Sequence, residues 1–150
     1  MAVFMDKLDQ NIIKEIAQQL DCGNECFFNQ KTKELICIPN ADLMATGDEE
    51  YYKEVFKDDL EKVKSQKKDL IKFEILESFE SFKIMEDFKN QIKEAEFKEK
   101  LNQALNRRKP FQNFKYLIDN SEYREDWFEF KQKELEKIVL EIMNRNNAST

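Results

Sequence analysis

The spacing of apolar residues changes partway along this chain, and that change constrains the fold more than any other feature. Three short stretches before residue 77, at 25–30, 34–38 and 70–76, have the pattern of β-strands. From Ser78 onward, apolar residues recur only at the spacing of α-helices. A sheet-forming half followed by a helical half predicts an α+β fold rather than a regular alternation of strands and helices.

The first half of the chain predicts a helix, a hairpin, a second helix and a third strand. Apolar residues at helical spacing place a helix over 7–20, and Gly23 suits the left-handed residue that often ends a helix. The polar turn at 31–33 joins the first two strands into an antiparallel hairpin. The third strand alternates apolar and charged side chains, as expected when one face of a sheet meets water.

The second helix is predicted to follow a loop over 40–47 and to continue to about residue 66. Thr46 and Glu49 have the spacing of a capping box at its start. Its large apolar side chains lie on one face and are Tyr52, Phe56, Leu60 and Val63. This amphipathic pattern is typical of a helix that packs on a small three-stranded sheet.

The second half predicts a C-terminal cluster of about four helices. Pro110 is placed to begin one of these helices, and Ser121 is placed to cap the start of the last one. Phe111 and Phe114 share a helix face that we assign to the core. The single tryptophan, Trp127, is expected at the centre of the helical core rather than in a ligand cage.

Length and composition predict a single cytoplasmic domain. The 150 residues suit one domain, with a 1–76 half, a 77–146 half and a polar tail at 147–150. No apolar run approaches the roughly 18 residues of a membrane span, so we expect no contact with a membrane. The N-terminus lacks the basic start and apolar run of a signal peptide, and the cysteines are then expected to be reduced.

Two absences exclude most of the familiar catalytic chemistries. The chain has no histidine, which removes histidine acid–base catalysis, Ser-His and Cys-His pairs and His-ligated zinc. It has only two glycines, Gly23 and Gly47, so neither a Walker loop nor a dinucleotide fingerprint can be written. We therefore expect no catalytic residues, no cofactor and no enzyme activity.

The three cysteines lie close together in the sequence, at Cys22, Cys26 and Cys37. Three thiolates could gather around zinc, but a structural site needs a fourth ligand, and only a carboxylate could supply it here. Cysteine is also among the most buried residue types, which favours three small core residues and no metal. A redox-active thiol is the remaining interpretation, although no sequence motif indicates one.

A local reversal of charge marks one candidate contact surface. Between Lys100 and Ile118 the chain has five basic residues and no carboxylate, although it has 31 Asp and Glu against 25 Lys and Arg overall. Four of the five form the segment Arg107–Lys115, which we call the basic junction because Pro110 divides it between two predicted helices. Its cations are Arg107, Arg108, Lys109 and Lys115.

The basic junction has three interpretations. It could bind an acidic protein partner, including a second copy of this chain, because arginine holds carboxylates bidentately. It could contact nucleic-acid phosphates through Arg107, Arg108 and Lys109, with Phe111 or Tyr116 stacking on a base. The net charge of −6 disfavours that second interpretation, since phosphates would be repelled overall. The cations could instead pair with carboxylates inside the chain or with a helix dipole.

Carboxylates offer two further possibilities. Glu74, Glu77, Glu80, Glu86 and Asp87 are interleaved with phenylalanines, a pattern that could dock a basic partner or form a strand and helix with one wet side. Catalysis by two carboxylates, or a carboxylate magnesium site, needs residues that converge from several elements. Sequence does not show such convergence, and a carboxylate-dependent enzyme therefore ranks third.

Three segments of the second half together resemble the C-terminal core of a bacterial family. The segments are 85–88 (MEDF), 104–115 (ALNRRKPFQNFK) and 124–130 (REDWFEF). In this order they are similar to the uncharacterised protein family 0158, over roughly 78–143. Where the family pattern is basic between the two phenylalanines, this chain has Gln112 and Asn113. The resemblance implies a small bacterial cytosolic protein. It does not point to any particular activity. The lack of catalytic motifs and the local reversal of charge lead us to expect a non-catalytic protein-binding or adaptor module, with a nucleic-acid-associated regulator as the alternative.

Overall fold

The computed structural model describes residues 7–40 and 49–148, and within them it has the predicted α+β layout. A three-stranded antiparallel sheet lies in the first half, and four helices follow it. The elements in chain order are α1 (Lys7–Asp21), β1 (Asn24–Asn29), β2 (Leu35–Pro39), α2 (Glu49–Val55), α3 (Lys57–Ser65), β3 (Leu70–Phe73), α4 (Ser78–Gln91), α5 (Ala95–Leu105), α6 (Pro110–Asp119) and α7 (Arg124–Ala148).

The sheet has the order β2-β1-β3, with β1 at its centre and antiparallel to both neighbours. Gly23 has a φ of 90° and connects α1 to β1, as its sequence position predicted. The hairpin turn is held by Asn29, whose Oδ1 accepts hydrogen bonds from the backbone N–H groups of Lys31 (2.8 Å) and Thr32 (3.0 Å). This buried asparagine also donates from its side-chain amide to Gln66 Oε1 at 3.0 Å. Its amide oxygen and its amide nitrogen therefore both have hydrogen-bond partners, as buried polar groups require.

The predicted wet face of the third strand is confirmed in β3. Ile71 and Phe73 are buried, whereas Lys72 is half-exposed and carries ion pairs to Glu25 and Glu74. On β2, however, side chains of both parities are protected from water, because Ile36 and Ile38 are buried and their neighbour Cys37 is half-buried. The sheet is therefore covered on both faces at its β2 edge.

The single helix predicted up to about residue 66 is two helices, and the break lies at Phe56. Phe56 has φ −105° and ψ 20°, well away from helical values, although backbone hydrogen bonds of helical spacing continue on both sides of it. The Tyr52 hydroxyl donates to the Pro39 carbonyl oxygen at 2.8 Å, and the Tyr52 and Phe56 rings lie 5.2 Å apart. These contacts hold α2 against the end of β2 while α3 takes a separate course. Thr46 and the loop 41–48 lie outside the described residues.

The described chain separates into two compact units. One contains the residues up to Ile75 together with those from Leu135 onward, and the other contains Leu76–Glu134. In the first unit the most deeply buried side chains come from α1, the sheet and α7, and they are Ile16, Ala17, Cys26, Phe73 and Val139. Helix α7 continues to Ala148, two residues into the stretch that the sequence assigned to a tail.

Trp127 is the centre of the aromatic core in the second unit, as predicted. Its ring meets Phe88 and Phe114 edge-on, with centroid distances of 5.3 Å and 4.9 Å, and it is 8% exposed. The same unit has fully buried aliphatic side chains in α5 and α6, namely Leu101 and Ile118. Such edge-to-face pairs add to the free energy that burial of each ring already contributes.

Two predictions for the second unit were wrong at the ends of α6. Phe111 is 42% exposed, although Phe114 on the same face is buried, because Phe111 lies in the first turn of α6 next to the exposed segment 106–109. Ser121 does not cap α7, which begins at Arg124. The Ser121 hydroxyl instead donates to the Ile118 carbonyl oxygen and accepts from the Tyr123 N–H, so it closes the turn after α6.

Candidate functional site

The basic junction lies where α5 ends and α6 begins, and local interactions hold its backbone in a tight turn. Helix α5 ends at Leu105, and the Asn106 side chain donates to the Asn102 carbonyl oxygen at 2.8 Å. Pro110 is the first residue of α6, as predicted. The side chain of Asn113, in α6, donates to the carbonyl oxygen of Arg108, in the turn between the two helices, at 2.9 Å. Asn113 thus has a structural role at this turn.

Lys109 has an unusual backbone conformation for its residue type. Its φ of 58° and ψ of 54° place it in the left-handed region, which costs a residue with a Cβ atom about 1–2 kcal/mol relative to a right-handed conformation. Glycine or asparagine normally occupies such a position between helices. Lys33 in the hairpin turn is also left-handed, with a φ of 65°, so the backbone conformation alone does not mark Lys109 as a functional residue.

All four cations of the basic junction are exposed to solvent. Among the described residues, none of the four has a carboxylate oxygen within 4.0 Å. The ion pairs that the structure does show involve other residues, for example Arg124 with Asp119 at 3.5 Å and Lys133 with Glu129 at 3.0 Å. Internal neutralisation, one of the three interpretations of the basic junction, therefore receives no support from the described part of the chain.

A groove of about 240 Å³ lies between α5 and α6, and it includes one end of the basic junction. Lys100, Gln103, Ala104 and Arg107 line it from the α5 side, and Asn113, Tyr116 and Leu117 line it from α6. No carboxylate is among these lining residues. Two cations, two side-chain amides and a phenol thus face one concave surface, which suits a ligand with negative charge.

The structure brings together only part of the predicted site. Arg107 lines the α5–α6 groove, whereas Arg108, Lys109 and Lys115 lie on the exposed surface outside its lining. The groove adds Lys100 to the predicted contact residues, and it includes Tyr116, which the sequence offered as a stacking residue for a base. The signal for Lys100 was present in the sequence, since residues 100, 103 and 107 share one face of a helix through their i, i+3, i+7 spacing.

Two large aromatic side chains are exposed beside these cations. Tyr116 is 70% exposed and lines the α5–α6 groove, and Phe111 is 42% exposed in the first turn of α6. Exposed aromatic residues next to arginine are typical of the central contacts in protein interfaces. They also provide flat surfaces on which a nucleic-acid base could stack.

The acidic stretch of α4 has a mixed structure. Phe88 is buried, but Phe79 is 73% exposed between Glu77 and Glu80. The Glu77 backbone N–H donates to Glu80 Oε1 at 3.0 Å, so this carboxylate closes the start of the helix. The prediction that the aromatic side of this stretch is buried is therefore wrong at Phe79.

The described residues contain neither a group of side chains that could hold a metal ion nor a helix that could span a membrane. No group of three or more Cys, Asp or Glu side chains is arranged to hold a metal ion there. Cys22 is exposed, whereas Cys26 is buried and Cys37 is half-buried. None of the described helices is long and apolar enough to cross a membrane.

A second groove, of about 440 Å³, lies between α4 and the start of α7. Phe88, Ile92 and Phe130 are its apolar lining residues. Its charged lining residues have both signs, and Lys133 there is paired with Glu129. This groove has no excess of either charge to select a ligand, so the basic junction is the better candidate site.

Comparison with known proteins identifies a family for nearly the whole chain. The model of a family described as "Uncharacterised protein family (UPF0158)" matches residues 7–150. This confirms the resemblance seen in the sequence and extends it from the second half to the sheet-containing first half. Searches of curated proteins and of solved structures found no match.

Proposed function

The chain belongs to the uncharacterised protein family UPF0158, and we propose that it is a non-catalytic binding module whose ligand is an acidic segment of another protein. One observation carries this proposal. In a chain of net charge −6, the basic junction and the α5–α6 groove present exposed cations that have no carboxylate partner among the described residues. A complementary negative segment is the ligand that this surface would attract.

The energetics indicate what such a ligand must contain. An exposed ion pair contributes only about 0.2–1 kcal/mol, so Arg107, Arg108 and Lys100 together would give weak binding by charge alone. Burial of Tyr116 and Phe111 against an apolar side chain would add the larger share of the free energy. The preferred ligand is therefore a segment that combines several carboxylates with at least one apolar or aromatic residue.

The composition of the chain supports a role without catalysis. It has no histidine, and the residues that line the α5–α6 groove include neither a carboxylate nor a cysteine. Such a lining can bind and orient an anion, but it has no group with an ordinary pKa near neutrality to act as a general base.

Nucleic acid is the second candidate ligand, favoured by the exposure of Tyr116 beside Arg107 in the groove. A base could stack on the tyrosine ring while the guanidinium group contacts a phosphate. The net charge of the chain opposes a long phosphate backbone, however, so this ligand ranks below an acidic protein segment.

Fluorescence anisotropy with three labelled probes of equal length tests the proposal. The first probe is a peptide of Glu and Asp with one central Phe, the second replaces every acid by its amide, and the third is a single-stranded RNA. We expect the acidic peptide to bind the chain most tightly at low salt and to bind less tightly as salt rises, because exposed charges are screened. The amide peptide should bind at least about tenfold more weakly, a difference of roughly 1.4 kcal/mol.

A pair of charge-reversal variants locates the binding surface. Arg107→Glu/Arg108→Glu should reduce the affinity for the acidic peptide about tenfold or more, since two attractive charges become repulsive. Lys67→Glu/Lys68→Glu is the matched control, because it reverses two adjacent exposed lysines in the other unit. Equal affinity of wild type and Arg107→Glu/Arg108→Glu would contradict the proposal, and tighter binding of the RNA would replace it with the second candidate.

A further inference from the structure

Two cysteines face each other across the β1–β2 hairpin. Cys26 and Cys37 are direct partners in the antiparallel register, and their Sγ atoms lie 3.7 Å apart. Opposite residues in antiparallel strands have Cα atoms about 4.5–5.5 Å apart, within the range that a disulfide bond requires. The sulfur atoms need to approach by less than about 2 Å to form the bond, which rotation of the side chains can supply.

The two thiols have different surroundings. Cys26 is fully buried, whereas Cys37 is half-buried and thus partly exposed to solvent. The pKa of Cys37 is lowered by its hydrogen bond with Cys26, although burial and the carboxylates of Glu15 and Asp59 act in the opposite direction. The pKa of Cys26 is raised by the same hydrogen bond and by burial. Cys37 is therefore the better candidate for the attacking sulfur, because it is the less buried of the two and its pKa is the one that is lowered.

We propose that Cys26 and Cys37 form a peroxide-sensitive dithiol, a redox modification site on the hairpin. The Cys37 thiolate attacks one oxygen of hydrogen peroxide, the O–O bond breaks and hydroxide leaves, which converts Cys37 to a sulfenic acid. The Cys26 sulfur then attacks the Cys37 sulfur, the S–O bond breaks, and the departing hydroxide takes the Cys26 proton as water. The two thiols lose two electrons in total, and the peroxide is reduced to two waters.

The arrangement differs from that of ordinary core cysteines. A cysteine that only fills space needs no second thiol in hydrogen-bonding contact, and here the contact is part of the strand register. The third cysteine, Cys22, lies outside this pair, in the exposed turn after α1. Cys22 is therefore an internal control, an exposed thiol that does not belong to the pair. The proposed function shares no residue with this dithiol, so either proposal can fail alone.

The decisive experiment uses the full chain with Cys22→Ser, which leaves both hairpin cysteines unchanged. The reduced protein is treated with hydrogen peroxide, free thiols are blocked with N-ethylmaleimide, and the products are measured by intact mass and peptide mapping. We expect a loss of about 2 Da, for the two hydrogens removed, and a peptide pair cross-linked between Cys26 and Cys37. The cross-link should form at least about tenfold faster in the folded protein than in urea, because the fold holds the thiols together.

Two further variants in the same background identify the order of the steps. Cys26→Ala should accumulate a Cys37 sulfenic acid that dimedone traps, and Cys37→Ala should leave Cys26 unoxidised. The proposal is overturned if the hairpin thiols stay reactive to N-ethylmaleimide under peroxide that oxidises Cys22 in the wild-type chain. It is also overturned if the cross-link forms no faster in the folded protein than in urea. Neither the reactivity to N-ethylmaleimide nor the comparison of folded and urea-treated protein requires a substitution at the buried Cys26.

Discussion

Replacing Trp127 by alanine should destabilise the second unit more than a change at any exposed aromatic residue. Trp127 is 8% exposed and meets Phe88 and Phe114 edge-on. Truncation of a buried tryptophan costs about 3–5 kcal/mol. Two edge-to-face pairs contribute roughly 0.5–1.5 kcal/mol each to that loss, and the remainder comes from buried area and the cavity left behind.

The loss can be measured by urea unfolding followed by far-UV circular dichroism, because Trp127 is the only tryptophan and its fluorescence disappears with it. Phe128→Ala is the matched control on the adjacent position of α7. The Phe128 ring is 39% exposed and lies 4.9 Å from the Arg124 guanidinium carbon and 5.6 Å from Lys131 Nζ. Its truncation removes contacts worth about 1 kcal/mol at an exposed site.

A clear ranking of the two variants is therefore expected, with Trp127→Ala losing at least about 2 kcal/mol more than Phe128→Ala. Trp127→Phe should fall between them, because it keeps one aromatic ring in the core. If the free energies of unfolding of Trp127→Ala and Phe128→Ala were equal, the tryptophan would not be the centre of this core. The packing described for α4, α6 and α7 in the second unit would then be wrong.

Three other predictions concern local features. Tyr52→Phe should cost about 1 kcal/mol in urea unfolding through loss of the hydrogen bond to Pro39. Burial raises the pKa of Tyr52, so this contribution is present below about pH 10 and is lost as pH rises through the folded-state pKa. Urea unfolding of wild type and Tyr52→Phe over a pH series should show their free energies of unfolding converging at high pH. Lys109→Gly should stabilise the chain by up to about 1 kcal/mol, because glycine accepts the left-handed conformation, and a lower urea midpoint would contradict this. Magnesium ions should leave the melting temperature unchanged if the chain is a binding module without a metal site. A rise in the melting temperature would instead support a carboxylate-dependent enzyme, which its metal would stabilise.

The periodicity of apolar residues was sufficient to predict the kinds and order of most elements. The α1 helix, the hairpin and β3 follow from local spacing and from Gly23, and the start of α6 follows from Pro110, because the backbone preferences of these two residues act over one or two positions. The break at Phe56 could not be predicted in this way. It accompanies a hydrogen bond between Tyr52 and Pro39, which are distant in sequence, and a regular apolar stripe continues through it.

The candidate site was predicted as a charge pattern but not as a shape. The absence of carboxylates near Arg107 is visible in the sequence, yet pairing with distant acids depends on the tertiary fold. The α5–α6 groove arises from the approach of two helices, which places Tyr116 in the same lining as Arg107 and leaves Lys115 outside it. Phe111 shares its helical face with a buried residue and is nevertheless exposed, because position along the helix decides burial as much as the face does.

The most direct test of the proposed function is a titration of the ¹⁵N-labelled chain with the acidic peptide, followed by two-dimensional ¹H–¹⁵N NMR. We predict that the largest shifts in amide resonances occur in the segment 100–118, with Arg107, Asn113 and Tyr116 among them. The exposed lysines Lys67 and Lys68 should show little change. Shifts that are absent at saturating peptide, or that centre on Lys67 and Lys68 instead, would contradict the proposal that the basic junction is the binding surface.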